Sequence, residues 1–175
     1  KAKNVGCMNN LKQMGIAGAL YADESDGFIM PRYLGSSSVK GDWWPAKFVP
    51  YYGAQQRLSC PAVQGIIPKS SLVGYGLNAH TGYIKIAQVK SPSKKIYIAD
   101  SIWDGNMFCW AIYSSKWPTL DNTSSRSRII CRHNAWANVL LLDWHVKPYS
   151  YQNLRFIAGS AVADFWKPTS PVTKL

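Results

Sequence analysis

The residues best suited to acid–base work are three histidines, His80, His133 and His145, because imidazole titrates near neutrality and a neighbouring carboxylate can orient it. Two of them lie in RHNAWANVLLLDWHVKPY, residues 132–149, where nine residues separate His133 from Asp143. In a straight strand that pair would stand about 33 Å apart, at about 3.3 Å per residue, and could not touch. No turn residue interrupts the run from Val139 to Leu142, and no G-x-S-x-G elbow or recognisably reactive cysteine supplies a nucleophile. The stretch is therefore expected to be a buried strand with polar ends. The chain is expected not to be an enzyme, with no catalytic residue and no cofactor.

Metal chemistry has donors but no motif. His80, His133, His145 and an Asp are competent ligands, yet none of the short fixed spacings of metal sites occurs, and ADESDG lacks the acidic alternation of a calcium loop. No metal site is expected, and His133 is expected to hydrogen-bond to backbone or to a carboxylate. Cys7, Cys60, Cys109 and Cys131 form no C-x-x-C pair; four cysteines allow three disulfide pairings or free buried thiols, and spacing does not choose among them.

Eight Trp and ten Tyr could stack on a sugar or a nucleic acid, and Trp117 and Trp144, beside turn-like residues, are the candidates for exposure. The formal net charge of +11 favours polyanions, but the cations are scattered and no dense basic tract collects them. A solvated basic surface and buried aromatics are the expected outcome, with weak polyanion or glycan binding as the alternative function.

The positioning elements follow from periodicity. At 175 residues, 47% hydrophobic and 17% charged, the chain suits one packed domain. Val5, Met8, Leu11, Gly15 and Ala19 recur at helical spacing, with Ile16 and Leu20 widening the apolar surface, so residues 1–23 are expected to be helical. The pattern is already running at Lys1 without a capping residue, as in a helix that continues from upstream. ADESDG stops it, and Pro45 opens a short helix over about 44–50 that is expected to end at Pro50. From about residue 72 to 152 the period changes to two: LVGYGLN, KKIYIAD, MFCWAIY, NVLLLD and HVKPYSY read as strands. NLRFIAGSAVADFW is read as a return to a short helix and KPTSPVTKL as a loose tail. A long helix followed by antiparallel strands is an α+β arrangement with the helix across one sheet face. No run of about 18 apolar residues is present to span a membrane.

Six segments in order resemble one family: CMNNLKQMGIAGALYADESDGFIMP, WWPAKFVPYYG, LSCPA, YGLNAH, VKSPSKKIYIADS and RHNAWANVLLLDWHVK. Together they are similar to the prepilin-like proteins with the C-terminal signature H-x9-D-G, related to general secretion pathway protein G, the major pseudopilin of type II secretion. The signature falls on His133 and Asp143, and the helical motif on Cys7 with Asn10, Leu11, Lys12 and Gln13. The resemblance implies a pilin-like fold and a head held outside the cytoplasm. The full-length protein would be anchored in the inner membrane by an apolar helix ahead of Lys1, behind a leader that a prepilin peptidase removes. Other pilin-like subunits would be its partners. It also implies a disulfide between Cys7 and Cys60, leaving Cys109 with Cys131 as the second pair. Trp144 stands where the family has Gly. The segment is expected to be a hairpin with Asp143 and Trp144 at its tip, either strained there or built on a longer turn, because a non-Gly residue in the left-handed region costs about 1–2 kcal/mol.

Overall fold

A computed structural model describes residues 2–35, 43–53, 59–63, 74–101, 111–112, 120 and 128–154. The fold is α+β. Helix α1 spans Ala2–Glu24 and α2 spans Trp44–Tyr52. The strands are β1 (Tyr75–Asn78), β2 (Ile96–Asp100), β3 (Ala111–Ile112), β4 (Trp136–Leu141) and β5 (Val146–Ser150). They form one sheet in the order β3-β1-β2-β4-β5. Pairings β1–β2, β2–β4 and β4–β5 are antiparallel, as expected, whereas the short β3 runs parallel to β1 at one edge.

Four of the strands lie inside segments read as strands from the sequence and β4 starts two residues ahead of NVLLLD, but the alternation is weak because both faces of the sheet are covered. Tyr75, Leu77, Tyr97, Ile98, Leu140 and Leu142 join the core beneath α1. Ile96, Ala99, Val139 and Leu141 join a second cluster with Ile129, Cys131 and Leu154. The register of β2 against β4 slips between Ile96 and Ile98. This bulge puts Tyr97 and Ile98 on the same side, so Asp100, two residues on, points toward α1 instead of away from it.

Helix α1 ends where Asp26 (φ 52°) and Gly27 (φ 80°) turn left-handed, and the Gly27 N–H closes the last turn on the Ala22 carbonyl at 2.7 Å. Its buried face is Cys7, Leu11, Met14, Gly15, Ala17, Gly18 and Ala22. That face is rotated from the expected one: Leu11 and Gly15 are buried, but Val5 is 56% exposed. The small residues account for the rotation. A Cβ on Gly18 would lie 2.7 Å from Trp144 Cζ3, and one on Gly15 3.0 Å from the Trp144 carbonyl oxygen, so only this side lets the β4–β5 turn approach. Helix α2 continues through Pro50 to Tyr52, two residues past its expected end. Trp44, Phe48 and Tyr52 are buried, and the Tyr52 hydroxyl donates to the Asn10 carbonyl on α1, an anchoring that offsets the one backbone donor proline lacks.

The β4–β5 connection is the longer turn. Trp144 N–H donates to Leu141 O and Leu141 N–H to His145 O, enclosing a three-residue loop of Leu142, Asp143 and Trp144. Trp144 holds φ 69°, the left-handed position at which such loops favour Gly. Its ring is held edge-on to Tyr97, with centroids 5.7 Å apart. A two-residue turn with both central residues left-handed occurs elsewhere, at Asn134 (φ 53°) and Ala135 (φ 63°), where His133 and Trp136 exchange backbone hydrogen bonds.

Candidate metal centre

Four buried side chains converge at the end of the sheet under the first turns of α1. Cys7, Cys60, Asp100 and His133 each offer one ligand atom, and these atoms all lie within 4.8 Å of one another. Each comes from a different piece of chain. Cys7 is on the inward face of α1, and Asp100 ends β2 on the side the bulge selects. His133 is the residue before the tight turn that opens β4.

Cys60 sits in the short loop Ser59–Val63, tied to α1 by Asn10, whose Nδ2 donates to the Ser59 carbonyl at 3.1 Å. That loop packs so closely on the start of β1 that a Cβ on Gly74 would meet Cys60 N at 2.9 Å.

The Cys7 thiol reaches Asp100 Oδ1 at 3.4 Å, and Cys60 Sγ lies 3.4 Å from His133 Nε2. The same Nε2 is 3.5 Å from Asp100 Oδ2. Around this set, Tyr75 donates its hydroxyl to Cys7 Sγ at 3.4 Å, and Asn138 N–H donates to Asp100 Oδ2 at 3.0 Å. Arg132 places Nε 3.9 Å from Asp100 Oδ1 and donates Nη2 to the Ser101 carbonyl. Its Nε and Nη1 are buried without a hydrogen-bond partner among the described residues.

Burial and mutual contact set the protonation of this cluster. The Cys60 thiol is pulled well down, first by its hydrogen bond from Cys7 and then, against the cost of burial, by His133 and Arg132. Cys7 is pushed up by burial first and then by Cys60 and Asp100. Burial carries Asp100 up to about 7 against the pull of Arg132, with Cys60 adding to the rise. For His133 burial opposes protonation, but the Cys60 hydrogen bond and the charges of Asp100 and Cys60 outweigh it and raise the imidazole. Cys131, buried outside the cluster, is pushed up to about 12 by burial and then by Asp100.

A cysteine, a histidine and an aspartate also make up a nucleophilic relay, but the connections here are not those of one. A relay needs the carboxylate on one ring nitrogen and the nucleophile on the other. In this cluster Cys60 and Asp100 both address Nε2. Cys7, Cys60 and Asp100 are also fully buried. Side chains that aim at a common point are arranged as ligands are.

The residues singled out from sequence divide sharply. Cys7 and Cys60 are brought together, yet the expected disulfide is not formed: both are free thiols, turned toward Asp100 and His133 respectively. Cys131 is likewise a free thiol, and Cys109 lies outside the described residues. His133 has a carboxylate partner as expected, but it is Asp100. Asp143 stays at the β4–β5 turn, where Oδ1 accepts from the His145 N–H and Oδ2 lies 3.2 Å from His145 Nδ1. His80 and His145 are outside the cluster. Leu11 is core, Asn10 holds the Cys60 loop, and Lys12 and Gln13 are exposed. Trp144 is not the exposed aromatic expected: it is half-buried, because its ring fills the space above Gly18. Trp117 lies outside the described residues. Asp100 was missed altogether, since at the end of IYIAD it reads only as a strand terminus.

Comparison with family models, curated proteins and solved structures finds no match to this chain. What fold and site define is an α+β protein whose helix α1 covers one face of a largely antiparallel sheet and carries one of four buried side chains whose donor atoms lie within 4.8 Å of one another.

Proposed function

We propose that the chain is a pilin-like structural subunit of a type II secretion-like or type IV pilus-like apparatus, with these residues forming its head outside the cytoplasm. The observation that carries the reading is the two-sidedness of α1. One face is spent on the sheet, and the other leaves Val5, Ile16 and Leu20 exposed at 56%, 55% and 48%. Ile16 and Leu20 are one turn apart on that side, whereas Val5 stands about three turns before Ile16 with exposed Asn9 and Lys12 between them. The uncovered pair Ile16 and Leu20 on an otherwise anchored helix suits lateral packing against the helices of other pilin-like subunits. The six ordered sequence segments support the same reading. The two polar ends of its signature also have separate physical tasks here, His133 in the buried cluster and Asp143 in the turn.

The rival reading, a module that holds polysaccharide or DNA on exposed tryptophans, loses Trp144, which packs against α1, and keeps Trp136, which is 44% exposed. Cysteine cross-linking in cells that make the full-length gene product tests the proposal. Ile16→Cys and Leu20→Cys are expected to yield cross-linked copies in the envelope fraction, while a cysteine at exposed Lys147 on β5 does not. Full-length protein recovered from the cytoplasm with an unprocessed N-terminus would overturn it.

A further inference from the structure

We propose that Cys7, Cys60, Asp100 and His133 bind one zinc ion, a closed structural site that clamps α1 to the sheet. Zinc in such sites is held by four ligands at about 2.0–2.3 Å, and a tetrahedron of that size separates its ligand atoms by about 3.3–3.8 Å. Cys60 Sγ and His133 Nε2 are 3.4 Å apart. Whichever carboxylate oxygen Asp100 offers has one more neighbour in this range, Cys7 Sγ at 3.4 Å from Oδ1 or His133 Nε2 at 3.5 Å from Oδ2. All four ligand atoms lie within 4.8 Å of one another. A disulfide would instead need the two sulfurs about 2.0 Å apart and turned to each other. Here both thiols are free, and each sulfur also has a non-sulfur ligand atom at 3.4 Å, Asp100 Oδ1 for Cys7 and His133 Nε2 for Cys60.

Charge points the same way. As ligands, two thiolates and one carboxylate would carry three negative charges in a site with no exposed sulfur or carboxylate, and the nearby Arg132 guanidinium cancels one of them. A divalent cation cancels the remaining two, leaving the buried assembly neutral. On binding, the thiol protons pass to solvent as the sulfurs become ligands. Soft sulfur with imidazole nitrogen favours zinc over magnesium or calcium, which take oxygen ligands. The outer groups are those that orient such ligands: the Asn138 N–H on Asp100 Oδ2, the Tyr75 hydroxyl on Cys7 Sγ, and Asn10 on the loop that bears Cys60.

The site does not depend on the pilin-like reading, and its test does not either. Protein purified without chelator or reductant is dialysed against metal-free buffer and its metal measured by mass spectrometry, with unreduced peptide mapping of the same sample. One zinc per chain is expected, with Cys7 and Cys60 resistant to alkylation until a strong chelator is added. Cobalt replacing zinc should give the visible absorption of a tetrahedral site together with a sulfur-to-cobalt band in the near ultraviolet. His133→Ala is expected to weaken zinc binding by more than the roughly 10–100-fold typical of outer-shell changes, Arg132→Gln by an amount within that range, and Cys131→Ser not at all. If His133→Ala fails to fold, the cobalt spectrum of the unaltered protein decides. A Cys7–Cys60 disulfide in the unreduced peptides, substoichiometric zinc with freely alkylated thiols, or cobalt bound without a sulfur band would each overturn the proposal.

Discussion

Helix α1 is fastened to the sheet at two places by opposite kinds of chemistry. Near its start, Cys7 enters a polar centre in which every group is costly to bury and each depends on the others. Two to three turns further on, Gly15 and Gly18 offer bare backbone to the β4–β5 turn, and the Trp144 ring closes over Gly18. The second contact is close packing and works whatever the protonation or metal content. The first is conditional: without a cation its groups share protons, with the Cys60 thiol pulled down and Asp100 raised to about 7. One helix can therefore be firmly seated in its middle while its start responds to the contents of the site.

The largest expected effects fall on the conditional contact. Removing zinc with a chelator, or replacing His133 by Ala, should destabilise the protein by about 3–5 kcal/mol, the usual cost of leaving buried charges without their partner. Chelator added to His133→Ala should then change little, since both perturbations break the same unit. Acidification should mimic the chelator, because protons compete with zinc for two sulfurs and an imidazole; zinc release should rise as pH falls. Thermal melts with and without chelator across pH 5–8 check all three. Equal chelator sensitivity in wild type and His133→Ala would break the distinction between the two contacts.

Gly18→Ala probes the packed contact. Its added Cβ would sit 2.7 Å from Trp144 Cζ3, so the ring must move, at a cost of about 1–3 kcal/mol. The variant should still bind one zinc, and its loss should be the same with or without chelator. Pairing it with Trp144→Gly should give less than the sum of the single effects, because the second change removes the atoms struck by the first. Equilibrium denaturation of the four proteins measures this coupling.

The two contacts also differ in how far they can be read from sequence. The strands are legible because burial on both faces leaves β-branched and aromatic runs such as KKIYIAD and NVLLLD, bounded by turn residues. Trp144 is legible as an anomaly, since only one residue there departs from the signature it resembles. The polar centre is not. Cys7 and Asp100 are 93 positions apart and Cys60 and His133 are 73, so no spacing rule joins them. What aims Asp100 at Cys7 is the bulge beside Tyr97, and nothing in IYIAD marks it. The rotation of α1 was hidden for a related reason: apolar periodicity favours Val5, whereas close approach favours Gly18 and the site requires Cys7. Packing against a turn and a buried polar group outweighed hydrophobic content.

A smaller gain is expected from Ala135→Gly, in the turn that sets His133. Ala135 holds φ 63°, and relieving that strain should exceed the entropy cost of glycine in the unfolded chain by about 0.5–1 kcal/mol. Because His133 is fixed by its own backbone pair with Trp136, zinc affinity should be unchanged; a fall in affinity would mean the strain itself positions the ligand.

The smallest effect should come from a third fastening, beyond the end of α1, where Lys85 Nζ meets Asp26 Oδ2 at 2.5 Å in the open. The Lys85 hydrogen bond and charge lower the Asp26 carboxyl below its usual range. A depressed acid contributes stability above its unfolded pKa and loses it as pH falls through the folded one, so the pair acts at neutral pH and fades below about 4. Asp26→Asn should therefore melt slightly below wild type at pH 7, approach it as pH falls below about 4, and lose the difference at high salt, since exposed pairs are well screened. Chelator should leave this small difference intact. If instead it grows when zinc is removed, the far end of α1 senses the site at its start, and the helix transmits between contacts that are otherwise independent.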